Sequence, residues 1–207
     1  MPPDTIFLLR HGDSSRDRVR RYIGQDDEPL NPNGRMQAMV WRHAFRDLSL
    51  HRILCSDLMR SHETARIIAE QRIEIVQPLA GLREIDLGAW DGLAIDEVRC
   101  RYPGEYRKRG EEPVAYRTPG GESFADLADR VIPLFEEIVR GMSGNVVIVG
   151  HAGVNRVILC HVLGLPLERL FRLGQDYGCL NVIEPGLQGF CLRGMNLGVI
   201  DRGDLPL

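Results

Sequence analysis

No stretch of this sequence approaches the about 20 consecutive apolar residues that span a bilayer. The longest apolar runs, near Val146 and Val157, are the size of core elements. The opening residues, Met-Pro-Pro-Asp, lack a basic segment followed by a long apolar one, so no secretory leader is expected. Cysteine is sparse and odd in number, at Cys55, Cys100, Cys160, Cys179 and Cys191, with no C-x-x-C pair. This argues against a disulfide framework and for a reduced, cytoplasmic setting. There is no internal repeat and no low-complexity segment. A formal net charge of −3 gives no overall pull toward nucleic acid or an anionic membrane. An anion site would therefore have to be assembled locally from a few arginines.

What is present is an ordinary globular composition, 43% hydrophobic and 27% charged, in a chain of 207 residues, the size of one generous domain. Short apolar runs alternate with helical patterns, which argues for an α/β fold. Ile6-Phe7-Leu8-Leu9 is apolar without alternation, as in a strand covered on both faces. Further strands are expected at 52–55, 73–76 and 146–149. Asn31 and Pro32 should cap and start a helix running to about Asp47. Ser56 or Asp57 should cap another ending near Glu70. Glu122 to Met142 has apolar residues at helical spacing, with Pro133 expected to kink or split it. Residues 152–163 form a further helix, stopped by Gly164 and Pro166. A closing antiparallel hairpin is expected from 179–183 and 190–193, around residues 185–189. Residues 99–120, with Arg99, Arg101, Arg107, Lys108 and Arg109, three tyrosines and three prolines, read as an excursion over one end of the sheet or equally as a solvated loop.

In an α/β sheet the carboxyl ends of the strands face the ligand crevice. His11, in Leu9-Arg10-His11-Gly12, and His151, in Val149-Gly150-His151-Ala152-Gly153, both fall at such ends, so they can converge. Arg60 falls in the first turn of a predicted helix, where a cation is uphill unless an anion compensates it. Arg10, Arg60 and a helix N-terminus aimed at one point would suit a phosphate. Glu84 lies in an irregular stretch close to Trp90, and a carboxyl in a partly dry cleft can hand over a proton.

Five blocks in order resemble the histidine phosphatase superfamily, the phosphoglycerate mutase-like family: Arg10-His11-Gly12, "IGQDDEPLNPNG", "SDLMRSHETA", "LREIDLGAWDG", and "TPGGES" with "VVIVGHAGVNR". The resemblance implies a three-layer α/β/α sandwich with a mostly parallel central sheet. It implies one domain over 1–207 with a small cap at about 90–120. It also implies a metal-independent phosphomonoesterase with no cofactor. His11 would be the nucleophile that forms a phosphohistidine, Arg10, Arg60 and a protonated His151 the phosphate pocket, and Glu84 the proton donor. Gly12, Ser14, Asp17, Tyr22, Gly24, Gln25, Arg83, Trp90 and the backbone N–H of Ala152 are further candidates for substrate contact. The partner would be a phosphorylated small molecule, with neither nucleic acid nor membrane involved, and the chain a monomer or homodimer. No metal site is expected.

One position departs from the family pattern. Asp17 stands where many members carry an asparagine that donates to phosphate, and an ionised aspartate there would repel the substrate. The lysine-rich insert of the mutases is missing between Trp90-Asp91-Gly92 and Pro119-Gly120. The chain thus looks more like the phosphatase branch, with α-ribazole phosphate the leading specific substrate. The rivals are a bisphosphoglycerate-dependent phosphoglycerate mutase and, because of Asp17, a catalytically weak regulator that binds phosphorylated ligands. Trp90 can serve substrate stacking or packing. The arginines at 16, 18, 20 and 21 read as a solvated loop or as contacts to an anionic substrate.

Overall fold

The run Ile6-Phe7-Leu8-Leu9 is apolar on both sides of the chain, and the fold uses both. In the computed structural model, which describes residues 3–187 and 189–198, this run lies in strand β1 (Pro3–Arg10). Ile6 and Leu8 enter one hydrophobic cluster, and Phe7 and Leu9 enter the other. Strand β4 (Gly144–Gly150) divides in the same way, with Val146 and Ile148 on one face and Val147 and Val149 on the other. Helices cover each face. α1 (Pro32–Ala44) and α2 (Met59–Ala69) bury Trp41, Ala44, Ala65 and Ile68 on one side. α5 (Phe124–Gly141) and α6 (Ala152–Leu163) bury Leu127, Val131, Phe135 and Ile158 on the other. The result is the expected three-layer α/β/α arrangement.

The sheet has six strands in the order β3-β2-β4-β1-β5-β6. Here β2 is Leu50–Cys55, β3 is Val76–Pro78, β5 is Leu180–Gly186 and β6 is Gly189–Leu197. β3, β2, β4 and β1 run parallel, and the β5–β6 hairpin adds two antiparallel strands beside β1. The hairpin matches the expectation, although Gln188 lies outside the described residues.

Three local expectations are corrected, and a fourth loses one of its two alternatives. Residues Ile73–Ile75 form a 3-10 turn, and the strand starts only at Val76, where Ile53 of β2 supplies a partner. Pro78 is tolerated there because β3 is an edge strand. The helix after Asn31 ends at Ala44 rather than Asp47. Neither Ser56 nor Asp57 caps α2: its N-cap is Leu58, and Asp27 Oδ1 accepts the Met59 N–H at 2.6 Å from across the chain. Pro133 does not split α5. A proline inside a helix costs about 3 kcal/mol, whereas each fully buried Leu, Val or Phe contributes about 1.5–3 kcal/mol, and α5 buries such side chains on both sides of Pro133.

Residues 95–111 are not a solvated loop. They form two short helices, α3 (Ile95–Arg101) and α4 (Pro103–Glu111). Tyr102 and Tyr106 from this segment, and Tyr116 just after it, pack against the cluster that contains Trp90.

Candidate active site

The parallel register of β1 and β4 sets Arg10 opposite Gly150. The next residue of each strand therefore leaves the sheet beside the other. These residues are His11 and His151, with ring centroids 5.0 Å apart. His11 Nδ1 donates to Gly12 O at 2.7 Å. A carbonyl can only accept, so Nδ1 carries the proton and Nε2 keeps its lone pair. Burial pushes the His11 pKa well below the ordinary imidazole value, and the charges of Arg60 and Arg10 push the same way. Burial also pushes the His151 pKa well below the ordinary imidazole value, and the charges of Arg60, His11 and Arg10 push the same way. The end of β2 also reaches the pair: Ser56 Oγ and His151 Nε2 are hydrogen-bonded at 2.6 Å.

Two guanidinium groups join them, one half-buried and one buried. The guanidinium carbon of Arg10 lies over the Tyr177 ring, 3.8 Å from its centroid, and Arg10 donates to Gln175 O at 2.6 Å. Arg60 is the second residue of α2 and is 1% exposed. It donates to Asp26 O at 2.7 Å and Gly24 O at 2.6 Å. That loop is shaped by Asp91, whose carboxylate accepts the N–H groups of Gly24, Gln25 and Asp26 at 2.7, 2.7 and 2.9 Å. Arg10 Nε, Arg60 Nε and His151 Nδ1 have no hydrogen-bond partner. Buried nitrogens are seldom left unsatisfied, and an oxyanion is the acceptor that suits this set of donors.

Glu84, 7% exposed, meets the first turn of α6. Its Oε1 accepts the Ile85 N–H at 2.9 Å and its Oε2 accepts the Gly153 N–H at 3.0 Å. Arg130 fixes the turn before it by donating to the carbonyls of Gly81 and Arg83 at 2.8 and 3.0 Å, and is itself held by Glu122. Among the described residues, no group of three His, Cys, Asp or Glu side chains is placed to hold a metal.

The other predicted residues divide. Ser14 is buried and lines a cavity that reaches Arg10 and Tyr177. Gly24 and Gln25 serve the site through the backbone, as the loop that orients Arg60. Gln25 Nε2 also donates to Glu84 O at 3.2 Å. Ala152 is the first residue of α6, directly after His151. Gly12 is required for packing: a Cβ there would strike the backbone of Gly34 in α1. Its own N–H donates to Thr64 Oγ1 at 3.1 Å. Trp90 is fully buried among Tyr22, Tyr102 and Tyr116, with ring centroids 5.3–6.3 Å away, so of its two alternatives packing is the one the structure shows. Tyr22 is half-buried against it. Arg83 forms a two-pronged pair with Asp57 at 2.7 and 2.6 Å. Asp17 is exposed, and its Oδ2 lies 3.1 Å from Arg21 Nη2 while its Oδ1 accepts the Val19 N–H.

Five positioning groups were not singled out from the sequence: Ser56, Thr64 and Asp91 lie inside the quoted blocks without a role of their own, and Gln175 and Tyr177 lie outside them. Each acts on a partner far away along the chain. A larger cavity of about 840 Å³ runs beside α2, past Met59, Glu63 and Ile73, and touches none of the five core residues.

The profile of the histidine phosphatase superfamily (branch 1) matches residues 6–198. Phosphoserine phosphatase 1 of Hydrogenobacter thermophilus is 34% identical over 181 residues, 86% of this chain and 85% of that protein. A probable phosphoglycerate mutase of Salmonella choleraesuis is 34% identical over 171 residues, 81% of this chain and 80% of its own. The crystal structure of the α-ribazole phosphatase of Shigella flexneri superposes with a TM-score of 0.85 at 25% identity, covering 95% of this chain and 100% of that one. A match that spans nearly every element from β1 to β6 leaves the conclusion plain: this chain belongs to the histidine phosphatase superfamily.

Proposed function

We propose that this protein is a phosphomonoesterase that works through a phosphohistidine on His11 and acts on a small phosphorylated metabolite. The observation that supports this most is the pair His11–His151, 5.0 Å apart, flanked by Arg10 and Arg60 with unsatisfied nitrogens. In this reading His11 Nε2 attacks phosphorus as the ester P–O bond breaks. The guanidinium groups of Arg10 and Arg60, together with a ring nitrogen of His151, face the phosphoryl oxygens and stabilise the negative charge that develops there. Glu84, as the carboxylic acid, delivers its proton to the leaving alkoxide. A water molecule then attacks phosphorus, giving its proton to the Glu84 carboxylate as a P–O bond forms and the P–N bond to His11 breaks. This releases inorganic phosphate and restores both groups. Residues 90–120 act as a cap over this chemistry.

The test is hydrolysis of p-nitrophenyl phosphate in EDTA by the parent and by His11→Ala. Loss of the rate in His11→Ala supports the reading, and equal rates overturn it. The relative named a probable phosphoglycerate mutase calls for a parallel assay of 3-phosphoglycerate with a bisphosphate primer. No 2-phosphoglycerate is expected, because the lysine-rich insert is missing after Gly92. Asp17, the feature that favoured a non-turning-over regulator, has its charge matched by Arg21 and does not weigh against catalysis. A panel of phosphomonoesters, α-ribazole phosphate among them, assayed for released phosphate identifies the substrate.

A further inference from the structure

Arg16, Arg18, Arg20 and Arg21 fall within six residues of a chain whose net charge is −3. With Arg10 they wall a cavity of about 340 Å³ that reaches Ser14 and Tyr177, beside the phosphate pocket. Two carboxylates share this wall, Asp17 and Glu28. Both already have cationic partners. Asp17 pairs with Arg21 at 3.1 Å. The buried Glu28 meets Arg16 at 2.6 Å, and Arg16 also holds Asp26 at 3.1 Å. The side chains of Arg18 and Arg20 are exposed and have no hydrogen-bond or ion-pair partner among the described residues. The backbone is nevertheless pinned from Arg20 onward. Ile95 N–H donates to Arg20 O at 3.0 Å, Tyr22 N–H donates to Leu93 O at 2.9 Å, and Arg21 forms a bridge with Ala94. A second cavity of about 440 Å³ adjoins the same two side chains on the side of Asp96 and Arg99, where Arg99 is paired with Asp96 at 3.3 Å.

The loop therefore presents two uncompensated guanidinium groups from a fixed backbone at the mouth of the site. We propose that Arg18 and Arg20 form a subsite for a second anionic group, so that the preferred substrates are phosphomonoesters that also carry a carboxylate or a second phosphate. The proposal rests on the phosphatase reading above and adds the class of substrate. Guanidinium forks suit both carboxylate and phosphate. Transfer occurs at the His11 end while the remote anion fixes the position of the leaving portion, so the binding energy of that anion orients the reacting bond.

The experiment compares kcat/KM within matched pairs for the parent and the Arg18→Gln/Arg20→Gln double variant. O-phosphoserine against O-phosphoethanolamine isolates the carboxylate. Fructose 1,6-bisphosphate against fructose 6-phosphate isolates the second phosphate. The parent should favour the two-anion member of at least one pair by about ten-fold, a preference that shrinks as salt screens the exposed charges. The double variant should cut this to about two-fold, mainly through KM, and Arg18→Glu should push it toward inversion. Which pair responds identifies the anion. A parent without preference in either pair, or a preference that survives both variants, overturns the subsite. Hydrolysis of p-nitrophenyl phosphate by the parent reports on the phosphatase reading alone. Turnover there with no preference in the pairs rejects the subsite and leaves that reading standing, whereas no turnover rejects both.

Discussion

Gly153 donates its N–H to Glu84 Oε2 at 3.0 Å, and a Cβ at position 153 would strike the same carboxyl group at Oε1. The glycine in "GHAGV" thus sets where the carboxyl can sit. Gly153→Ala should displace Glu84 while leaving α6 helical, since alanine is the better helix former. Misplacing a reacting group by about 1 Å can cost about 100-fold. The expected outcome is a loss of that order in kcat for an alkyl phosphate, with the far-ultraviolet circular dichroism of the parent. Unchanged kcat would show that the carboxyl position is not set by residue 153.

Glu84→Gln keeps the shape of the side chain and removes the proton to be donated. General acid catalysis contributes roughly 10²–10⁴-fold, but p-nitrophenolate leaves well without a proton. Hydrolysis of an alkyl phosphate such as glycerol phosphate should therefore fall by at least about 100-fold in this variant, and p-nitrophenyl phosphate far less. Equal losses on the two substrates would remove Glu84 from the acid role.

The parts of this site that could be read from the sequence are those whose signal is local. His11 and His151 follow apolar runs that could only be strands, and the parallel register of Arg10 with Gly150 then brings the rings together. The layers were equally legible, because an apolar run without alternation requires cover on both faces. What escaped was carried by long-range bonds. Ser56 reads as a helix cap, yet its hydroxyl bonds His151, 95 positions away. Asp27 lies in a quoted block with no role assigned, yet its carboxylate accepts the first N–H of α2. Trp90 read equally as a stacking or a packing residue, and the three tyrosines around it decide for packing. Neither spacing nor propensity encodes such partners.

Stability should fall in mild acid because of the two histidines. Burial holds both well below the ordinary value, helped by Arg60 in each case. In the unfolded chain each takes up a proton near pH 6.5. Below that pH, and above the folded values, the unfolded state binds more protons, so stability declines as pH falls. The contribution of the neutral rings is complete above about pH 6.5, and each ring can remove up to about 1.4 kcal/mol per pH unit below it. The lowered carboxylates Asp57 and Asp126 lose their contribution only nearer pH 4 and below. Urea melts between pH 7.5 and 5.5 should show the decline, and His11→Asn should reduce its slope by about half. A slope unaffected by His11→Asn and by His151→Asn would assign the decline to other groups. The acid limb of kcat/KM should likewise lie below pH 6.5, since His11 stays neutral there in the folded protein.

Asp91 tests whether the Arg60 guanidinium depends on a carboxylate it never touches. Both oxygens of Asp91 accept N–H groups from the 24–26 loop, and the carbonyls of Gly24 and Asp26 in turn hold Arg60. In Asp91→Asn one acceptor oxygen becomes a donor facing N–H groups, so at least one N–H loses its partner, at a cost of about 1–3 kcal/mol in stability. If the loop only supported the fold, the effect would end there. If it aims Arg60, the affinity for inorganic phosphate as a competitive inhibitor should fall by about ten-fold or more as well, because a misdirected guanidinium loses its charge-assisted bonds. The two readings separate in Asp91→Glu, which restores the negative charge on a longer arm. Recovery of the melting temperature without recovery of phosphate affinity would show that Asp91 sets geometry and not merely charge. Parent-like phosphate inhibition in Asp91→Asn would show that Arg60 is held without it.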